Sequence, residues 1–304
     1  MDHPKVSIII LNWNGIEDTV ECLTSLKRVT YPNYEVIVVD NGSEGDEARV
    51  IKEKFGDYLQ LIRNDRNYGY GGGVNVGIRY ILAHSLPSYF LLMNNDIVVA
   101  PNFLHELVRV VEGDDQIGIV GPKIYHYNYK GRINVIWSAG GKIQRWALKI
   151  HHQIGENDDD LPKYQTVASV DWITGAVVMF KSCLTEKVGL LNPWYFVGHE
   201  DIDYCLKARR QGFKTVYVPT SIAWHKVSVS AKKAHITYAD PASYYYLIKQ
   251  SFPLFVYIYH LLLLPVLLFR WSVLYLIKSR DRHALRRFFS DFVRFVLQRS
   301  KQNL

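Results

Sequence analysis

The chain has 304 residues, is 48% hydrophobic and carries three cysteines, Cys22, Cys183 and Cys205, which excludes both a disordered chain and a disulfide-stapled mini-protein. Its net charge of +7 is no sign of nucleic-acid binding, because residues 249–304 hold ten Lys/Arg against two Asp/Glu and the first 248 residues sum to −1. The odd cysteines lack metal-like spacing, and the start MDHPKVSIII has neither a basic run nor a cleavage site, so the expectation is a reducing, cytosolic protein with free thiols.

Short β-branched runs then alternate with helix-like stretches: VSIIIL (6–11), a segment near 16–27, YEVIVVD (34–40), a segment near 46–55, LQLIR (59–63), a segment near 74–84 and YFLLM (89–93). Near-continuous apolar strands separated by helices predict a doubly wound α/β domain, its parallel sheet covered on both faces. Ligands in such sheets bind beyond the carboxyl ends of the strands. Each predicted strand ends in polar residues there: Asn12 and Asn14, Asp40 to Ser43, Asn64 to Asn67, and Asn94-Asn95-Asp96. Four strand ends are expected to share one crevice.

From 117 to 181 the pattern is mixed, with the turn AGGK (139–142) and an acidic loop, ENDDD (156–160), read as solvated surface. A helix is predicted over 201–212, opened by acidic residues and closed by Gly212, and then a strand over 215–219. Residues 250–269 contain no Asp, Glu, Lys or Arg, yet Pro253 and Pro265 interrupt them. After them Leu285, Phe288, Phe289, Phe292, Val293 and Val296 share one helical face, with arginines mostly opposite. The division is a catalytic domain over 1–248, with halves near 1–120 and 121–248, and a basic apolar helical tail over 249–304. The tail is expected to lie on an anionic membrane surface; a true span and a core-packed or dimer-forming helical pair, hence a homo-oligomer, are the alternatives.

NYGYGGGVNVG (67–77) has the look of a phosphate-cradling loop that opens a helix, but follows the third strand and lacks both the dinucleotide fingerprint and a Walker Lys-Ser/Thr. The other reading is that its glycines let helix and sheet pack closely. Asp40 is suited either to accept the imide N–H of a pyrimidine base or to cap a helix. One carboxylate with flanking amides, Asn94-Asn95-Asp96, can hold a hard cation on a diphosphate, or form an Asx turn before Pro101. Glu200 and Asp201 precede a helix beside Trp194, Tyr195 and Phe196, surroundings that raise one carboxyl pKa towards that of a base. His225 lies just past a strand, where its ring can be a ligand or a structural side chain.

Taken in order, VSIIILNWNG, VVDNGS, NYGYGGGVNVG, LLMNNDIVV, WITGAVVMFK, HEDIDYCLKARRQG and AWHK resemble the family 2 inverting glycosyltransferases, especially rhamnosyltransferase and galactofuranosyltransferase-like members, over about residues 5 to 230. The resemblance implies a GT-A fold, a doubly wound mixed sheet with C-terminal amphipathic or apolar helices. It also implies that Asn12, Asn14, Asp40 and Asn41 hold the nucleoside. Asn67, Gly72, Asn75, Asn94 and Asn95 would flank the nucleotide-sugar. Asp96 would stand at the metal-binding last position of the family's Asp-x-Asp, with His225 as a second metal ligand for Mn2+ or Mg2+. Asp201 would be the general base, with Glu200 as second candidate, while Trp172, Thr174, Gly175, Trp194, Tyr195 and Phe196 would shape the sugar and acceptor pocket.

Asn94 departs from the family's first Asp, which removes a charge from the metal site and leaves metal-independent transfer as an alternative. The implied partners are a nucleotide-sugar donor, dTDP-rhamnose or a UDP-sugar, and a glycan or polyprenyl-linked acceptor at the cytoplasmic membrane face. Two other classes share part of the signal. A sugar nucleotidyltransferase would release pyrophosphate, and a non-catalytic nucleotide-sugar-binding protein would bind donor without turnover.

Overall fold

A computed structural model describes residues 3–147, 149–227 and 241–267. They fall into two compact units, one drawn from Met1–Ile143 and His151–Ile236, the other from Gln144–Ile150 and Thr237–Leu304.

The first unit opens with β1 (Val6–Asn12), α1 (Ile16–Leu26), β2 (Tyr34–Asp40), α2 (Glu47–Phe55), β3 (Gln60–Arg63), α3 (Gly69–His84) and β4 (Tyr89–Asn94). It continues with β5 (Ile97–Val99), α4 (Phe103–Glu112), β6 (Ile117–His126), β7 (Ile136–Ser138), β8 (Gly141–Ile143), β9 (His151–Gln153) and β10 (Ala168–Val170). It closes with β11 (Val177–Lys181), α5 (Leu184–Lys187), α6 (Glu200–Arg210) and β12 (Lys214–His225).

Among the described residues one sheet runs β10-β12-β6-β11-β4-β1-β2-β3, with β5 on β12 and β7 on β6. The sheet is mixed: β4, β1, β2 and β3 are mutually parallel, whereas β11 runs antiparallel between β4 and β6. Val6, Ile8, Ile9 and Ile10 of β1 are fully buried, the signature of a strand covered on both faces, and each contributes roughly 1.5–3 kcal/mol by leaving water.

Register decides where the polar ends fall. Asn12 pairs with Asp40, Asp40 with Arg63 and Leu11 with Asn94, so the ends of β1 to β4 finish at one level. Antiparallel β11 starts where β4 ends, because Asn94 N–H donates to Ala176 O at 2.9 Å. That brings the segment before β11, with Gly175, to the same rim.

The predicted strand over 215–219 extends further: β12 runs to His225, with an irregularity between Val218 and Ile222. Pro219 and the two hydroxyl residues after it look like a terminus in sequence, but pairing with β6 resumes beyond them. The ENDDD loop is also not simply solvated. Lys123, 1% exposed, donates to Asp160 at 2.9 and 3.0 Å and to Gln165 Oε1 at 2.9 Å.

In the second unit α7 (Pro241–Ser251) is followed, after Pro253, by α8 (Leu254–Leu262). His260 is buried, with Nε2 3.0 Å from Arg145 O, and its carbonyl accepts the Tyr245 hydroxyl at 2.8 Å. Among the described residues no helix is long and apolar enough to cross a membrane. The predicted amphipathic face over 283–299 lies outside the described residues.

Candidate active site

The ends of β1 and β2 form a buried polar corner. Asn12 is the hub: its amide nitrogen lies 3.2 Å from Asp40 Oδ1, 3.1 Å from Ser43 Oγ and 2.9 Å from Glu47 Oε2, and its oxygen accepts the Thr19 hydroxyl at 2.6 Å. Asn95 joins this network, donating to Thr19 Oγ1 at 2.9 Å and Gly15 O at 3.2 Å. The amides of Asn12 and Asn95 are thus engaged with protein. Asn14, left-handed at φ 50°, accepts from Glu44 N–H at 2.8 Å. Asp40 is different: it is fully buried, yet its Oδ2 makes no hydrogen bond and lies 3.5 Å from Arg63 Nε. A buried carboxylate oxygen of this kind calls for a donor.

The glycine loop lies beside this corner. Asn41 donates to Asn67 Oδ1 at 2.9 Å and Gly69 O at 3.1 Å, and accepts from Asn64 at 2.9 Å and Tyr68 N–H at 3.2 Å, so it shapes the loop. Both readings of the glycines hold, at different positions. A Cβ on Gly73 or Gly77 would stand 2.5 Å from Leu11 Cδ1 or 2.9 Å from Ile9 Cγ2, so these two serve helix–sheet packing. Gly69 instead has φ +73° and lies against Phe196 O, a conformation and an approach only glycine tolerates. Gly72 is next to Tyr68 and Pro193. Asn75 clamps α3 to the segment before α6, donating to Leu191 O at 2.7 Å and accepting Leu191 N–H at 3.1 Å.

Asp96 and His225 meet because β5 pairs antiparallel with β12, His225 opposite Ile97. Both are buried, and His225 Nε2 is 3.1 Å from Asp96 Oδ1, although neither imidazole nitrogen makes a hydrogen bond. Trp137 packs edge-on against the imidazole at 4.2 Å. Two adjacent ligands of one octahedral cation at about 2.1 Å stand about 3.0 Å apart, so the spacing fits a shared cation. Among the described residues no cluster of three or more His, Cys, Asp or Glu is placed to hold a metal.

Glu200 and Asp201 open α6. The chain reaches them through two left-handed residues, Gly198 and His199, at φ 87° and 75°; for His199 that conformation costs about 1–2 kcal/mol. Glu200 is buried, its Oε2 makes no hydrogen bond, and burial, then the Asp201 charge, push its carboxyl up to about 8. Asp201 is half-buried; burial raises its pKa, while N–H groups of Gly175 and Ile202, both at 2.8 Å, hold it back. Two neighbouring carboxyls with such different surroundings separate into a protonated partner and a base. Trp172, Thr174 and Tyr195 are buried near this rim, whereas Trp194 and Phe196 are 42% and 49% exposed.

Sequence reading missed Arg63, Tyr70 and His199. Arg63 ends a strand and reads as a surface charge, and Tyr70 is hidden among glycines. The HED triplet drew attention only to its carboxylates, although the His199 ring stands 4.9 Å from that of His151.

A family profile described as glycosyltransferase like family 2 matches residues 3–240. The uncharacterized protein y4gI of Sinorhizobium fredii is 32% identical over 75% of this chain and 25% of its own, so the chain spans about a quarter of that relative's length. The low-salt glycan biosynthesis hexosyltransferase Agl10 of Haloferax volcanii is 26% identical over 77% of this chain and 71% of its own. The N-acetylglucosaminyl-diphospho-decaprenol L-rhamnosyltransferase of Mycobacterium tuberculosis is 22% identical over 73% and 74%. A solved structure of GalNAc-T7 with UDP, GalNAc and Mn2+ superposes with a TM-score of 0.64 at 16% identity, over 82% of this chain and 48% of that one. The shared architecture is the GT-A glycosyltransferase fold.

Proposed function

The chain belongs to glycosyltransferase family 2, and from that premise we propose that it moves a sugar from a nucleoside-diphosphate sugar to an acceptor hydroxyl with inversion, Asp201 acting as general base. The observation that carries this is the Asp201 carboxylate, held by two backbone N–H groups at the rim where the ends of β1 and β4 meet the start of β11.

Asp201 takes the proton of the acceptor hydroxyl as its oxygen bonds to the anomeric carbon from the face opposite the diphosphate. The bond from that carbon to the diphosphate oxygen breaks, its electron pair leaves with the nucleoside diphosphate, and the configuration inverts. Asp96 and His225 would hold a divalent cation, Mn2+ or Mg2+, which when bound supplies positive charge against the leaving diphosphate. Asp40 Oδ2 would accept the imide N–H of a uracil or thymine ring, a contact that favours a pyrimidine donor without distinguishing its sugar; the resemblance to rhamnosyltransferases puts dTDP-rhamnose first and a UDP-hexose second. The names of the two characterised relatives support a hexosyl or rhamnosyl donor and, for the second, a lipid-linked acceptor.

A screen of dTDP-rhamnose, UDP-galactose, UDP-glucose, UDP-N-acetylglucosamine and GDP-mannose, with and without Mn2+ or Mg2+, tests this by thermal shift and donor hydrolysis. One pyrimidine donor should stabilise and be slowly hydrolysed; silence towards all five contradicts the reading.

The same proposal places the protein at the cytoplasmic face of a membrane, where a glycan or polyprenyl-linked acceptor would be presented. Its support is the outward face of α8, where Leu254, Phe255, Ile258 and Leu262 are 70%, 59%, 46% and 75% exposed, beside Trp146 at 58%, together with the basic sequence that follows. A face of this kind suits the headgroup boundary of an anionic bilayer. Phe255→Asp with Ile258→Asp and Leu262→Asp should abolish flotation with phosphatidylglycerol vesicles; undiminished flotation rules this surface out.

A further inference from the structure

Tyr70 is the second residue of α3, on the loop read as facing the donor. Its backbone N–H donates to Phe196 O at 2.7 Å. Its hydroxyl reaches across the rim and donates to Gly175 O at 2.5 Å. Gly175 N–H in turn donates to Asp201 Oδ2 at 2.8 Å. Gly175 is enclosed from both sides, since a Cβ there would stand 3.3 Å from Tyr70 Cε1 and 3.5 Å from Asp201 Cβ. One glycine therefore takes a tether from the donor loop through its carbonyl and hands its N–H to the carboxylate.

We propose that Tyr70 is a positioning residue for the base: by holding Gly175 it keeps the Gly175 N–H on Asp201, and so ties the donor loop to the carboxylate that receives the acceptor's proton. The inference rests on the reading of Asp201 as base. A hydrogen bond to a carboxylate stabilises its charged form, so misaligning that N–H raises the carboxyl pKa. Among the described residues the titratable groups around Asp201 include Glu200, Tyr204 and Cys205 on α6 and Tyr70 on α3. Burial pushes all four up, Glu200 to about 8, Cys205 to about 12, and Tyr70 and Tyr204 well above their ordinary value. All four stay protonated below neutral pH, so within this cluster Asp201 is the group that titrates on the acidic limb of activity.

Tyr70→Phe keeps the ring and deletes the tether. The readout is the pH profile of kcat/KM for hydrolysis of the nucleotide-sugar selected by the screen, with UDP and dTDP affinity measured by calorimetry. In Tyr70→Phe the acidic limb should move to higher pH by about half a unit to one unit, a loss of roughly three- to tenfold on that limb. UDP and dTDP affinity should change less than about twofold, since the lost interaction acts on chemistry and not on ground-state binding. Gly175→Ala, which crowds the same relay while leaving the Tyr70 side chain unaltered, should shift the limb in the same direction and serves if Tyr70→Phe does not fold. A limb that superimposes on the wild type in the folded variant overturns the inference, whether or not kcat falls. Asp201→Asn, run in parallel, separates the two levels. If it is inactive while Tyr70→Phe is unshifted, only the tether is refuted, and if it retains hydrolysis, the base assignment and the tether fall together.

Discussion

His225 Nε2 stands 3.1 Å from Asp96 Oδ1, at the end of a ladder in which His225 of β12 lies opposite Ile97 of β5. The pairing explains how residues 129 positions apart in sequence come to share one site. Loss of a group that merely orients a metal ligand costs about ten- to a hundredfold in metal affinity. Asp96→Asn and His225→Ala, which remove ligands outright, should each raise the Mn2+ concentration for half-maximal activity by at least that factor. A metal titration of donor hydrolysis checks it, and an unmoved midpoint in both variants contradicts the shared-cation reading.

Glu200 supplies a pH signature of stability. Burial, then the Asp201 charge, push its folded pKa up to about 8 from an ordinary value of 4.5. Between those values the folded chain holds a proton that the unfolded chain has lost, so this contribution is complete below pH 4.5, is lost as pH rises, and is gone above about 8. Thermal melts should therefore fall from pH 5 to pH 8, and Glu200→Gln, neutral throughout, should flatten that slope. Parallel slopes in the two proteins would count against a buried, protonated Glu200.

Gly69 combines φ +73° with a backbone carbonyl, Phe196 O, 2.4 Å from where a Cβ would sit. Neither can relax by rotating a side chain. Gly69→Ala should destabilise by about 1–3 kcal/mol in urea unfolding and weaken UDP and dTDP binding together; an unchanged urea midpoint would show that the turn is not constrained as described.

The Lys123–Asp160 pair makes a structural prediction. Lys123 is 1% exposed, and although burial raises the Asp160 pKa, hydrogen bonds from Tyr125, Lys123 and Gln165 bring it below the usual carboxylate range. Removing one member of a buried pair leaves the other uncompensated, at a cost of about 3–5 kcal/mol, and partial exposure of Asp160 puts Lys123→Met at the lower end. Denaturant midpoints check this; a change below about 1 kcal/mol would class the pair with surface bridges.

Much of the fold was legible because buried parallel strands are written as unbroken apolar runs, and their polar ends, Asn12, Asp40 and Asn94, mark where each stops. What those ends do was less legible. Asn12, Asn41 and Asn75 read as ligand contacts; that their amides also bond neighbouring backbone and side chains was not legible, because a sequence does not reveal which polar group finds a partner inside the protein. Pro219 masked the continuation of β12, so His225 looked like a residue beyond a strand. The ENDDD loop read as solvated surface because the buried partner of Asp160, Lys123, is 37 positions away. The grouping of Gln144–Ile150 with the C-terminal helices depends on contacts such as Tyr259 hydroxyl to Trp146 O at 2.9 Å, which no local pattern announces.

The central claim is tested most directly by Asp201→Asn in single-turnover donor hydrolysis, with UDP and dTDP binding measured on the same preparation. General-base assistance contributes about 10²- to 10⁴-fold, so turnover should fall by that factor while nucleotide affinity stays near wild type. Near-wild-type turnover in Asp201→Asn would contradict the account, and the base would have to be sought elsewhere on the rim.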